Sequence, residues 1–210
     1  SIMKRSFRGL LATFLGVAIV ACGCVKEGSG DKPQPALPAA ERFEVFQLLN
    51  PNDIPYRIPA LATTKDGTLI AVADYRHSGT DIGVTDKGRI DLHYRLSYDN
   101  GHTWSEVKPL IEGKGAEATD FMSVGYGDPC IVADRESNKV LVMSCAGNVS
   151  FQNGTRQRHQ NIARFYSEDG GETWSAPEDI AESIYSQFDA SSYGPVRSMF
   201  VASGRIMQSS

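Results

Sequence analysis

From residue 42 onward the apolar positions recur with a period of two. In 89–97 (RIDLHYRLS), Ile90, Leu92, Tyr94 and Leu96 fall on one side and Arg89, Asp91, His93 and Arg95 on the other. That alternation predicts a half-buried strand. The runs 68–74 (TLIAVAD), 139–145 (KVLVMSC) and 161–167 (NIARFYS) predict three more short strands. Turn residues separate the strands: KDG at 65–67, SGT at 78–80 and ESN at 136–138. No segment after residue 42 carries a convincing helical period.

The strands return in order. One unit opens at Ile58, runs through TLIAVADYR and RIDLHYRLS, and closes with SYDNGHTWS, residues 97–105. A second opens at Pro129, runs through KVLVMSCAG and NIARFYS, and closes with SEDGGETWS, residues 167–175. A third is expected to begin at Val196. Small sheets of three or four strands at a fixed period are the mark of a β-propeller, in which each blade covers the face of its neighbour. In the duplicated loop the aspartate can accept hydrogen bonds from its own turn, and the glycine takes a backbone conformation that side chains resist. Asp99 and Asp169 are therefore read as structural, with Trp104 and Trp174 as apolar plugs between blades. A propeller typically needs four or more blades to close. About two and a half are legible, the last strand run stops at Ser210, and Ser1 and Ile2 precede Met3. The chain is accordingly read as a fragment.

Composition narrows the function classes. The formal net charge is −4, and Lys4, Arg5 and Arg8 belong to the first 21 residues, leaving 18 basic against 25 acidic side chains in the rest. An acidic body without a basic stripe argues against a nucleic-acid partner. An anionic ligand must then be captured by local arginines. The basic start, the eleven-residue apolar run Leu10–Val20 and the sequence Ile19-Val20-Ala21-Cys22 predict a signal peptide over 1–21 and lipid attachment at Cys22. Residues 22–41 are read as an anchored, flexible Gly/Ser/Pro-rich linker, and 42–210 as the propeller part. The expected location is the periplasm, outer membrane or cell surface, with membrane contact through the lipid alone. Cys130 and Cys145 read either as buried small hydrophobes or as a cross-strand disulfide of an exported protein. Neither they nor the four scattered histidines show metal-ligand spacing.

The sharper signals lie at the starts of the units. The duplicated SxDxGxTW loop is the Asp box found in sialidases and several other propellers. Tyr56-Arg57-Ile58-Pro59 resembles the Arg-Ile-Pro motif that opens the first blade of bacterial exo-sialidases. ADYRHSGTDIG (73–83) resembles the family's next segment, and GYGDPCIVAD (125–134) its Asp-Pro segment opening the second blade. Their order and spacing agree with that family. The resemblance implies an all-β, six-bladed propeller of the sialidase type, represented here by about its first two and a half blades. It implies an exo-α-sialidase that removes terminal sialic acid from glycoproteins, glycolipids or oligosaccharides with retention, and without an organic cofactor. A guanidinium grips a carboxylate bidentately, so Arg57 matches the family's first carboxylate-binding arginine; Arg76 matches a second arginine position, which contacts the far side of the ring and the carboxylate pocket. Asp81 matches the general acid/base, with Asp86 and Asp91 as neighbouring alternatives. Asp128 matches a pocket residue facing the ring substituents. Sialidases use a tyrosine nucleophile rather than a second carboxylate; in the family it lies with its glutamate and two further arginines in later blades, and no tyrosine here matches it. A non-catalytic Asp-box propeller that binds glycans or proteins is the alternative.

Overall fold

The computed structural model describes residues 43–47 and 50–209. The expected signal peptide, the linker and Cys22 lie outside the described residues.

Two antiparallel sheets carry the fold. The first contains β1 (Tyr56–Thr63), β2 (Leu69–Arg76), β3 (Ile90–Ser97) and β4 (Lys108–Ile111), paired in chain order. The second contains β5 (Tyr126–Ala133), β6 (Val140–Ala146), β7 (Asn161–Ser167) and β8 (Glu178–Asp179), again paired in chain order. Each sheet is thus the meander that the repeat predicts. Their facing sides share one core. Ile70 and Val72 of β2 and Leu92, Tyr94 and Leu96 of β3 pack with Ile131 of β5, Val142 of β6 and Phe165 of β7. The two sheets bury each other's apolar faces, which neither could do alone.

Five findings differ from expectation or refine it. The outward side of β3 is not simply solvated: Asp91 is buried among ion-pair partners. A five-residue helix, α1 (Ala181–Tyr185), follows β8. It is too short to leave a helical period, yet Ala181 and Tyr185 cover a second core with Ile90, Ile162, Cys130 and Cys145. Val196–Ala202 form no strand of a third unit; β9 (Gly204–Arg205) instead pairs in parallel with the open edge of β5. Trp174 packs against the shared core and stands edge-on to Tyr94, as a plug between blades should. Trp104 instead donates its indole N–H to Gly101 O within its own loop at 3.1 Å. Cys130 and Cys145 are free and buried.

The duplicated loop closes as its residues dictate. Asp99 accepts from the Thr103 N–H at 2.8 Å, the Thr103 hydroxyl at 2.6 Å and the Ser97 hydroxyl at 2.9 Å. Asp169 accepts from Thr173 and Ser167 in the same pattern. Both aspartates are spent on their own turns.

Candidate active site

The site lies where β1, β2, β5 and the loop 77–89 meet. Arg57 and Asp74 are opposite each other across β1 and β2. The register then slips between Arg57 and Ala60, and Ile58 at the slip has a φ of 53°. β5 repeats the device: register is lost between Gly127 and Cys130, and Asp128 has a φ of 55°. In both cases a proline follows, removing one ladder donor. A bulge re-aims the side chains beside it, here toward one place from two sheets.

Arg76 closes β2 and is the hub. Its Nε and Nη2 donate to Asp74 Oδ2 at 3.0 and 2.7 Å. Nη1 donates to Asp81 Oδ1, and Nη2 lies 3.4 Å from Asp128 Oδ1. The side chain is only 1% exposed, whereas Asp81 is 64% and Asp128 27% exposed. Burial opposes the charge of Arg76, and the Asp74 and Asp81 carboxylates more than offset it, so its pKa is raised. Arg76 is expected to contact the far side of the sugar ring and the carboxylate pocket; in the structure its guanidinium bonds three carboxylates of the protein itself. Arg57 is exposed on β1, and its charge acts on Asp128. Burial raises the Asp128 carboxyl above the usual range, against the pull of Arg76 and Arg57 and with the push of Asp81.

Asp81 is presented by a braced loop. Its neighbour Ile82 is a buried peg, 3% exposed. Gly83 (φ 67°) sits so close to the β6–β7 loop that a Cβ there would meet Ser150 N at 2.3 Å. Lys87 N donates to Asn148 Oδ1 at 2.8 Å, and Asn148 Nδ2 donates to Asp86 at 2.9 Å. Both stems of the loop are tied to buried Asp91: His77 Nε2 lies 2.8 Å from it and Arg89 binds it through Nε and Nη2 at 2.9 Å each. Asp86 and Asp91 are therefore occupied with the loop's own anchoring.

Four expected residues, Arg57, Arg76, Asp81 and Asp128, come together from three segments. Asp74 was missed. It is fully buried, and burial pushes its carboxyl up to about 7 against the pull of Arg76. The signal was legible: Asp74 continues the apolar face Ile70, Val72 and stands two residues before Arg76, so the strand places an acid and its base on one buried side.

The chain is 32% identical over 170 residues to a sialidase of Bacteroides fragilis, a match covering 74% of this chain and 30% of that protein. It is 32% identical over 185 residues to a sialidase of Micromonospora viridifaciens, covering 82% of this chain and 27% of that one. Among solved structures, a Hadza microbial sialidase superposes with a TM-score of 0.51 at 28% identity, over 62% of this chain and 26% of its own. No family model matches the chain. The chain spans less than a third of the length of the two sialidase sequences it matches.

Proposed function

Because the chain belongs to the sialidase family, we propose that it supplies the carboxylate-binding and acid side of an exo-α-sialidase active site, acting on terminal sialic acid of glycoconjugates. The observation that carries this reading is the convergence of exposed Arg57 with Asp81 and Asp128 over one buried guanidinium. Arg57 grips the sialic acid carboxylate, for which a planar guanidinium is suited. Asp81 protonates the glycosidic oxygen as the bond breaks and then takes a proton from water. Asp128 faces the ring substituents. Arg76 works from below, holding the two carboxylates in place.

The reaction proceeds with retention through a tyrosine nucleophile, since the substrate's own carboxylate would repel a carboxylate nucleophile. That tyrosine and its glutamate belong to later blades of the full-length product. The hydroxyls of Tyr56, Tyr75 and Tyr185 are already bonded to His93, Asn52 and the Met199 amide. The protein works outside the cytoplasm, tethered through Cys22, a reading supported by the basic and apolar residues that precede that cysteine.

The test uses the full-length gene product and two substrates, a sialyl-oligosaccharide and an aryl sialoside. The first needs its leaving group protonated; the second hardly does. Asp81→Asn should cut kcat/KM on the oligosaccharide about 100-fold or more and on the aryl sialoside far less. Arg57→Ala should weaken both, since both carry the carboxylate. Equal losses for Asp81→Asn would make Asp81 a turn residue.

A further inference from the structure

Three carboxylates share the Arg76 guanidinium, and they share it unequally. Asp74 takes the Nε and Nη2 edge through one oxygen, leaving Nη1 for Asp81 and a longer contact for Asp128. The other oxygen of Asp74 does a second job. Oδ1 accepts the Asp128 backbone N–H at 3.0 Å, across 54 positions of chain and from one sheet to the other. That N–H sits inside the β5 bulge, where the ladder supplies no regular partner.

We propose that Asp74 is the positioning residue of this site: it locks Arg76 and the Asp128 backbone into one unit across the two sheets and so fixes where the Asp81 carboxylate stands and how fully the guanidinium neutralises it. The inference rests on the sialidase reading above. Its physical basis is the geometry of a forked cation. With one edge of the guanidinium held by Asp74, the plane of the fork is fixed and so are the two directions in which Nη1 can donate; Asp81 lies along one of them. Without that partner the fork is free to turn, and its charge falls wholly to Asp81 and Asp128. Asp74 touches neither substrate nor the reacting atoms.

The charged and titratable groups around Asp74 come from every neighbouring element. They are Arg57 on β1, Arg76 on β2, Asp81 in the loop, Asp128 and Cys130 on β5, and Cys145 on β6. Burial pushes the two thiols up to about 11 and about 12, so they stay neutral. Two cations and three carboxylates remain. Among them Asp74 holds one edge of the guanidinium and the Asp128 N–H at once, so its loss uncouples the two.

The experiment compares wild type, Asp74→Asn and Gly127→Ala in the full-length gene product, as kcat/KM for a sialyl-oligosaccharide and an aryl sialoside. Asp74→Asn keeps the size of the side chain but replaces one of its two accepting oxygens by an NH2 donor, so it cannot hold Arg76 and the Asp128 N–H together. It should lose about 100-fold on the oligosaccharide and much less on the aryl sialoside. Gly127→Ala leaves every acceptor in place but sets a Cβ 3.3 Å from Asp74 Oδ2 and 3.5 Å from Ile82. It should show the same substrate preference in its losses, about fivefold. Equal losses on both substrates for Asp74→Asn would make the residue merely structural. Should Asp74→Asn fail to fold, Gly127→Ala decides, and an absence of selective loss overturns the inference. An active wild type matched by Asp74→Asn overturns the inference alone. A wild type that turns over neither substrate overturns the sialidase reading and the inference with it.

Discussion

The two blades are built alike and used differently. Each opens with a slipped register, a left-handed residue and a proline, at Arg57–Ala60 in β1 and Gly127–Cys130 in β5. In the first blade the left-handed position holds Ile58, and the side chain that matters, Arg57, stands before it. In the second the left-handed position is itself the residue that reaches Arg76, Asp128, and a glycine replaces the arginine. Aspartate tolerates that backbone far better than a β-branched residue does. The first blade therefore carries local strain beside Arg57, of the kind that gathers at functional sites. What differs is which residue sits at each fixed station of a repeated backbone. The Asp boxes tell the same story at the other end of the blades. Their internal hydrogen bonds are the same, while Trp174 fills the seam between the sheets and Trp104 serves its own turn.

That contrast can be broken most forcefully at the tryptophans. Trp174→Ala removes a partly buried ring packed against the shared core and should cost about 2 kcal/mol, somewhat less than the loss of a fully buried aromatic. Trp104→Ala should cost about 1 kcal/mol, the size of an ordinary substitution away from the core. Urea unfolding of the two variants, read as a change in midpoint at constant slope, measures both. Equal losses would mean that the seam does not distinguish the two loops.

Much of this architecture is legible in residues 42–210. The sequence pattern locates the first three strands of each sheet, and the duplicated loop sets their spacing; β4 and β8, of four and two residues, are too short to show a period. The bulges were not legible. A proline inside a strand run announces a break in the ladder, but which residue turns left-handed depends on how the two sheets meet. The site was legible as a set of residue types, Arg57, Arg76, Asp81 and Asp128, and not as an arrangement. Spacing cannot tell a guanidinium that faces solvent from one that faces three carboxylates. Arg76 is turned inward because Asp74 lies two residues earlier on the same strand face, and because β5 brings Asp128 beside both. Likewise α1 spans a single helical turn and a half, too little sequence for a 3.6-residue period to emerge.

A smaller effect separates the loop glycines. Gly101 (φ 91°) and Gly171 (φ 95°) both hold backbone that a side chain resists, so alanine at either position costs about 1 kcal/mol. Around Gly101 a Cβ has room, with its nearest neighbour Leu69 Cδ1 at 3.5 Å. At Gly171 it would meet Ile70 Cδ1 at 2.8 Å and Leu96 Cδ2 at 3.3 Å, both in the first blade. Gly171→Ala should therefore be the worse of the two, by about 1 kcal/mol of overpacking. Gly171→Ala combined with Ile70→Val shortens the obstructing side chain and should recover most of that difference. Additive losses in the double variant would place the cost elsewhere.

The smallest expected effect is a slope. The Thr103 hydroxyl and N–H, aided by Ser97, hold the Asp99 carboxyl down to about 2. In the second box Asp169 is also lowered, but burial works against Thr173 and Ser167 there. A carboxylate whose pKa is lower folded than unfolded contributes stability above its ordinary range near 4, and the contribution disappears as pH falls toward its folded value. Asp74 has the opposite sign: raised to about 7, it favours the fold most below about 4 and progressively less as pH rises to 7. The Tm gap between wild type and Asp99→Asn should thus be constant from neutrality down to about pH 4 and close between 4 and 2. For Asp169→Asn the gap should close over a narrower span, because its carboxyl is lowered against opposition. Thermal melts of the two variants across pH 2 to 8 carry the test. A gap for Asp99→Asn that persists unchanged at pH 2 would show that the loop needs an acceptor at that position and not a charge, and the two boxes would then be electrostatically the same.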